Sequence, residues 1–445
     1  MTVTPLPWRE PCELFAAFAK RPFCAWLDTV SVVGSGQRYS LMAAEPSCVF
    51  RSKGRHLEWQ TPQNIEHGHG DPFEVLDQLL VRHRVVADLP FPAGAAIGYF
   101  GYDLKNLIEE LPATATDDLH LPDCWFGFYN NLLVFDHLDH RVYQVASSPS
   151  LSSSATLANQ FRGTCYEIDF ARDQRRLHSN FSRQSYCDAV RRAKEYISSG
   201  DIYQVNLSQR FQCDVPVSPR ELYFALRVAN PAPYGAYLDL GNAQILSSSP
   251  ECFLRMSGRD IVTRPIKGTL PRHRDPNELL RSAKDNAELL MITDLERNDL
   301  GRVCEFGSVH VPDLVRVETY ATVHHLVATV AGRLRPGVSH LQALRACFPG
   351  GSITGAPKIR AMEIIDELEP HARGVYCGAI GFFGYNDVSH FSIAIRTAVY
   401  RAGLLTFHAG GGIVADSEPN AEYEETLAKA EGIIRALDQL RLRQR

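Results

Sequence analysis

Asp201-Ile-Tyr-Gln-Val-Asn-Leu-Ser-Gln-Arg-Phe211 alternates residue by residue. Tyr203, Val205, Leu207 and Phe211 fall on one face, and Gln204, Asn206, Ser208 and Arg210 on the other. Successive side chains of a strand project to opposite sides, so the run reads as a strand with one polar face. That face is either solvated or the wall of a polar cavity. Gln and Asn are poor formers of exposed strands, which points to the cavity.

Outward from this strand the pattern stays regular. Arg183–Ser199 repeats Tyr186, Val190, Ala193 and Ile197 at helical spacing, with Gly200 where a C-terminal cap belongs. Asn277–Leu300 reads as one long helix with an apolar stripe of Leu280, Ala283, Ala287, Leu290 and Met291. Pro357–Leu368 reads as another, with proline in its first turn. Val375–Val414 resembles a β-meander broken by turns at Asn386-Asp387 and Arg401-Ala-Gly403. A final helix, about Ala421 to Leu440, has a stripe of Tyr423, Leu427, Ala430, Ile434 and Leu437. Such a mixture predicts an α+β fold, a large sandwich.

The Ser-rich run Ser147-Ser-Pro-Ser-Leu-Ser-Ser-Ser154 is the one clear break in composition. It divides a first region, residues 1–150, from a second, residues 180–440. Strand-like runs at Ala95–Tyr99 and Leu132–Phe135 precede it.

Composition narrows the class. Of 445 residues, 45% are hydrophobic and 22% charged, which is ordinary for a globular protein. The net charge of -5 argues against a nucleic-acid binder that works through a broad basic face. No apolar run approaches the roughly 20 residues that span a bilayer, and the N-terminus lacks signal-peptide character. The 11 cysteines include no C-x-x-C pair, which disfavours zinc ribbons and suggests reduced thiols in a cytoplasmic protein.

Some constellations are chemically suggestive. Asp285 and Glu288 share one side of a helix, as do Glu422 and Glu425. Two such helices face to face could supply oxygen ligands to magnesium; alternatively, Lys284–Glu288 and Glu425–Lys429 are ordinary ion pairs on solvated faces. Lys267 lies in Arg264-Pro-Ile-Lys-Gly-Thr269, near Arg272 and Arg274. Burial and nearby cations lower a lysine's pKa and free its amine as a nucleophile, whereas an exposed loop lysine stays charged. Glu251, after Ser249-Pro250, is a potential general acid if buried. Gly350-Gly-Ser-Ile-Thr-Gly-Ala-Pro-Lys358 opens a helix, and Ala409-Gly-Gly-Gly-Ile413 ends a strand; each either offers bare amides to an anion or is simply a tight turn. Arg396, flanked by Ser392, Ala394 and Ala398 on one strand face, could meet a ligand carboxylate or a protein one. Together these describe a magnesium-compatible polar site for a small anion.

The motifs match, in order, those of the chorismate-utilising enzymes over about residues 180–440. The carriers are Gly200–Phe211, Ser249-Pro-Glu251, Arg264–Thr269, Asp294-Leu-Glu-Arg-Asn-Asp-Leu-Gly-Arg302, Pro349–Lys358, Ile395-Arg-Thr397, the Gly-rich turn and Glu422-Tyr-Glu-Glu-Thr426. The first region resembles the family's N-terminal part more weakly, through Ala44-Glu45-Pro46. The resemblance implies a sandwich of two interleaved subdomains, so the break near residue 150 need not separate independent domains. Isochorismate and salicylate synthases carry a lysine where this chain has Gln204, and anthranilate synthases typically have alanine where it has Lys267. The closest resemblance is therefore to the aminodeoxychorismate synthase component I branch.

That resemblance also implies roles. Glu288 and Glu425 would hold Mg2+, with Asp285 and Glu422 behind them and Lys429 nearby. Arg396, Tyr376 and the amides of Gly410, Gly411 and Gly412 would take the second carboxylate of chorismate. Thr354, His325 and Gln204 would line the pocket. Lys267 would be the nucleophile and Glu251 the acid. His324, and a third glycine in Ala409-Gly-Gly-Gly, depart from the usual pattern. There is no Gly-x-Cys-x-Gly nucleophile turn, so ammonia would come from a separate glutamine amidotransferase subunit. The competing readings are an anthranilate synthase large subunit and a non-catalytic chorismate sensor.

Overall fold

A computed structural model describes residues 1–30, 37–147, 177–320 and 323–440. The Ser-rich break lies, from residue 148 onward, outside the described residues. The described residues fold as an α+β sandwich of two 12-stranded sheets, in which Gly355–Ala356 pairs with Gln204–Asp214 in the first and His310–Thr319 with Val323–Arg333 in the second, off the strand paths that follow. The first sheet runs Thr2–Leu6, Arg141–Ala146, Asn131–Asp136, Tyr39–Ala43, Ala25–Asp28, Tyr234–Asp239, Gln244–Ser249, Thr397–Arg401, Leu404–Ile413, Gln204–Asp214 and His178–Ser179. The second runs from Ile266–Pro271 through Val323–Arg333, Asp260–Arg264, Cys252–Ser257, Val388–Ile393 and Ala379–Gly384 to Ala95–Phe100, Cys124–Tyr129, Cys48–Lys53, His56–Gln60 and Ile65–His69. Both sheets thus take strands from each side of residue 150.

Side chains of both sheets meet in one core: Leu41, Val134, Leu238 and Ile245 from the first sheet pack with Ile97, Tyr99, Trp125 and Ile380 from the second. Helices Pro11–Phe18, Pro219–Ala229 and Pro419–Gln439 bury Phe15, Leu226 and Ile433 against the first sheet. Helices Pro72–His83, Arg183–Ser198, His340–Cys347 and Lys358–Leu368 contribute Phe73, Val190, Leu344 and Ile365 to a further core with Phe100 and Phe126. Local chemistry supports these boundaries. Ser182, Ser218 and Ser339 each form a capping box that satisfies amides of the first helical turn.

Three elements differ from the sequence expectation. The expected Asn277–Leu300 helix is two, Asn277–Arg281 and Ala283–Gly301, because the Ser282 side chain caps the second at the Asp285 amide. The break shifts the phase of the helix. Leu280 and Leu290 are exposed, and the buried stripe is Leu289, Ile292, Thr293, Glu296 and Leu300. The Val375–Val414 segment is not one meander. Its first hairpin joins the second sheet and its second hairpin the first, with the crossing at Ala394–Arg396. The last helix starts at Pro419, and its buried stripe is Glu422, Thr426, Ala430, Ile433, Ala436 and Leu437. Tyr423, Leu427 and Ile434 are only partly buried beside it.

Candidate active site

The opening strand forms the floor of the site. Gln204, Asn206, Ser208 and Arg210 are all buried, which excludes a solvated face, whereas Tyr203 lies outside the strand and is exposed. Ser208 donates its hydroxyl to Glu369, and Arg210 makes a two-bond pair with Asp118. Among the described residues neither end of the Gln204 side-chain amide has a hydrogen-bond partner, nor does the side-chain oxygen of Asn206. Buried amides are normally paired, so unpaired ends mark a place prepared for something else.

Gln204–Asp214 pairs with Leu404–Ile413 and sets Asn206, Leu207 and Ser208 opposite Gly412, Gly411 and Gly410. Pairing with Thr397–Arg401 on the other side stops at Phe407, so the glycine run has a strand neighbour on one side only. A Cβ at Gly411 would lie 3.3 Å from the carboxylate oxygens of both Glu422 and Glu425, and 3.5 Å from Lys429 Nζ. At Gly412 it would come within 2.6 Å of Gln204 Nε2. At Gly410 a Cβ would stand 2.6 Å from the Leu207 backbone oxygen, so there bare backbone is required, and at Gly411 and Gly412 it leaves these side chains their room.

Arg396 sits where the chain crosses between sheets, in the left-handed region at φ 52. That conformation is costly for a side-chain-bearing residue and is held only where the surroundings impose it. Its guanidinium donates to the Lys429 carbonyl at 2.7 Å and has no carboxylate partner among the described residues. Burial pushes its pKa down. Glu425 acts on it only through charge, and a partly buried cation with no direct carboxylate partner suits an anionic ligand. Tyr376, close by, packs its ring edge-on to His408 at 4.9 Å.

Lys267 lies deep in the protein, and 12% of its side chain remains accessible, so that part faces an internal recess. Burial pushes its pKa down; Lys429 adds to the shift, while Glu288, at 4.0 Å, and Glu251 oppose it. The neighbouring arginines are not the cause. Arg264 pairs with Glu318, Arg274 with Glu278, and Arg272 donates to the Tyr320 carbonyl. Glu251 is 5% exposed, and burial pushes its pKa up despite hydrogen bonds from Ser352 and the Ile266 amide and the nearby Lys267. A lysine shifted down beside a carboxyl shifted up is the pairing that nucleophile-plus-acid chemistry needs.

The acidic pairs face a common space. Lys284 pairs with Glu288 at 3.9 Å on its own helix and acts electrostatically on Glu422 and Glu425 of the last helix. Asp285 lies against Gly268, next to Lys267. Burial, then the charge of Glu425, pushes the Glu422 pKa up, while Ser417 donates to it at 2.6 Å. Glu425 keeps 46% of its side chain exposed; partial desolvation raises its pKa, but Lys429 at 2.6 Å outweighs this and holds it low. Both expected i,i+4 ion pairs thus form, yet Glu422 and Glu288 are not on solvated faces. Among the described residues no three His, Cys, Asp or Glu side chains already converge as a metal site.

Residues 32–435 match the chorismate binding enzyme family. The chain belongs to that family. It is 41% identical over 449 residues to aminodeoxychorismate synthase component 1 of Escherichia coli, covering 98% of each chain. It is 42% identical over 423 residues to anthranilate synthase component 1 of Thermus thermophilus, covering 92% of this chain and 89% of the relative. Anthranilate synthase component I of Streptococcus pneumoniae superposes with a TM-score of 0.79 at 33% identity, over 89% of this chain and 92% of that one. The menaquinone-specific isochorismate synthase of Escherichia coli, at 17% identity and a TM-score of 0.75 over 98% and 94%, shares the fold.

In this chorismate-binding enzyme the two glycine-rich segments differ in use. The Ala409–Ile413 run is open toward the site, whereas the Gly350–Lys358 turn spends its polar groups internally. Lys358 Nζ binds Asp299 at 2.5 Å, and the Thr354 hydroxyl donates to the Gly350 carbonyl at 3.0 Å. His325 bonds through Nδ1 to Thr269, and burial lowers its pKa to about 4, so it is neutral near pH 7. His324 is held between Thr319 and the Arg272 carbonyl. Sequence reasoning missed Ser352, Ser417 and the buried pair Glu296 and Asp299. Glu296 follows Glu288 by eight residues on the same helix, which was a usable signal. No helix among the described residues is long and apolar enough to cross a membrane.

Proposed function

We propose that this chorismate-binding enzyme is an aminodeoxychorismate synthase component I, which converts chorismate and ammonia to 4-amino-4-deoxychorismate for p-aminobenzoate and folate synthesis. The observation that carries this reading is Lys267: deep, shifted toward its neutral amine, and in electrostatic reach of the protonatable Glu251.

Arg396 and the open amides around Gly411 hold one carboxylate of chorismate, with Tyr376, Thr354, His325 and Gln204 around the ring. Lys267 attacks C2 through its lone pair as the ring double bonds shift. Glu251 gives its proton to the departing C4 oxygen, which leaves as water. Ammonia then bonds to C4, the double bonds shift back, and the C2–N bond to Lys267 breaks. Water and the amino product result, the enolpyruvyl group stays in place, and no pyruvate is released. Gln204 cannot serve as a base, which disfavours water addition.

The donor set, all carboxylate around a glycine with no side chain, fits a hard cation. Glu288 and Glu425 would hold Mg2+, with Asp285 and Glu422 behind, once Lys284 and Lys429 release them. Bound there, the ion would supply charge for the ring carboxylate. The relatives are named as component 1, which supports a separate partner, a cytoplasmic glutamine amidotransferase subunit that delivers ammonia.

Anthranilate synthase is the second reading, favoured by the similar identity to the Thermus protein. Trapping discriminates between them. Incubated with chorismate and magnesium without ammonia, the chain should gain the mass of chorismate less water, and Lys267→Ala should gain none. An adduct that persists in Lys267→Ala, or its absence from the unmodified chain, would reject the lysine mechanism.

A further inference from the structure

Behind Glu251 lies a second buried carboxyl that the chemistry above does not use. Glu296 is 3% exposed and projects from the Ala283–Gly301 helix. Its Oε1 accepts from the Gly351 amide at 3.1 Å, and its Oε2 lies 3.4 Å from the Thr263 hydroxyl. Glu251 is acted on by the immediate neighbours of those groups: Ser352, next after Gly351, and the Ile266 amide, three residues beyond Thr263, both of which favour its charged form. The same two segments therefore grip both carboxyls. The loop is pressed onto the helix, since a Cβ at Gly351 would stand 2.5 Å from Leu295 Cδ2 and 3.2 Å from Glu296 Oε1. Asp299, one turn along, pairs with Lys358 at 2.5 Å, and among the described residues Glu296 forms no ion pair of its own.

We infer that Glu296 is a positioning residue: it fastens the Gly351–Ser352 loop and the Thr263–Ile266 strand end to one helix, and so fixes Glu251 at the leaving oxygen. This rests on reading Glu251 as the acid. Burial, with the charges of Asp299 and Glu251, raises the Glu296 pKa to about 8, and Lys358 opposes them. A mostly protonated side chain still accepts from Gly351 through one oxygen. Glutamine reproduces that geometry, and alanine does not.

The test compares Glu296→Ala with Glu296→Gln by amide hydrogen exchange and by chorismate consumption, whatever the product. Exchange over residues 350–354 should quicken in Glu296→Ala and match the unmodified chain in Glu296→Gln. In Glu296→Ala, kcat should fall by about tenfold or more while KM stays within about twofold, because misplacing the acid affects the transition state rather than ground-state binding. Glu296→Gln should recover kcat. Ser352→Ala combined with Glu296→Ala should cost no more than the worse single change, since both act through one link. Unchanged exchange in Glu296→Ala overturns the inference even if the chain consumes no chorismate, an outcome that would reject the proposed function separately. Additive losses, or kcat equal to that of the unmodified chain, also overturn it. Should Glu296→Ala fail to fold, Thr263→Val replaces it and must show the same kcat-only loss.

Discussion

Replacing Arg396 with methionine separates ligand binding from stability. Among the described residues the guanidinium has no carboxylate hydrogen-bond partner, and it donates to the Lys429 carbonyl. Losing that bond costs about 1 kcal/mol. Removing an uncompensated deep cation returns about as much, and methionine fills most of the space of the aliphatic stem. The left-handed backbone at φ 52 costs the same for either side chain. Stability without ligand should therefore stay within about 1 kcal/mol of the original. Binding behaves differently. Two charge-assisted hydrogen bonds to a substrate carboxylate are worth about 3 kcal/mol or more together, so chorismate should bind about 100-fold more weakly. Denaturant unfolding without ligand gives the first quantity, and calorimetric titration with chorismate the second. A loss of stability above about 3 kcal/mol with unchanged affinity would refute the argument, because it would make Arg396 a structural cation.

Further outcomes follow from the same geometry. Gly411→Ala should leave the fold intact but abolish turnover and weaken magnesium binding, since its Cβ would press against Glu422, Glu425 and Lys429; both are readable by kinetics and titration calorimetry. Because burial holds the Glu251 pKa above the ordinary carboxylate range, its proton persists to higher pH. Then kcat should fall as pH rises through that raised value, and Glu251→Gln should remove the limb at a cost of about 100-fold or more in rate. Arg373 donates to Glu369, the Ile353 carbonyl and the Asn206 carbonyl and is 4% exposed. Arg373→Met leaves Glu369 buried without its counterion and should cost about 3 to 5 kcal/mol in denaturant unfolding.

How much of this was legible depended on what each element faces. The Gln204 strand announced itself, because alternation survives whether the polar side meets water or a cavity. The burial of that side followed from residue type. The helices were harder. Ala283–Gly301 and Pro419–Gln439 face a polar site, so their inner stripes include Glu296, Asp299, Glu422 and Thr426. A search for apolar periodicity then selects Leu280 and Leu290, which are exposed. Hydrophobicity marks the inside only where the inside is oil-like. Interleaving was implied by the family resemblance, but which strand joins which sheet was not legible from periodicity. Thr397–Arg401 pairs with Gln244–Ser249, some 150 residues away, while its sequence neighbour Val388–Ile393 lies in the other sheet. The Arg396 kink that makes this crossing has no marker such as glycine. Lys267 was singled out by its sequence context, and one of the two causes expected for its shift changed. Burial stands, while the arginines nearby in sequence bond elsewhere and Lys429 takes their place.

The most direct test of the central claim is product analysis. The purified chain, given chorismate, magnesium and ammonium, is assayed by mass spectrometry for aminated products and enzymatically for pyruvate. The expected product is 4-amino-4-deoxychorismate, with no pyruvate. Anthranilate with an equal amount of pyruvate would contradict it.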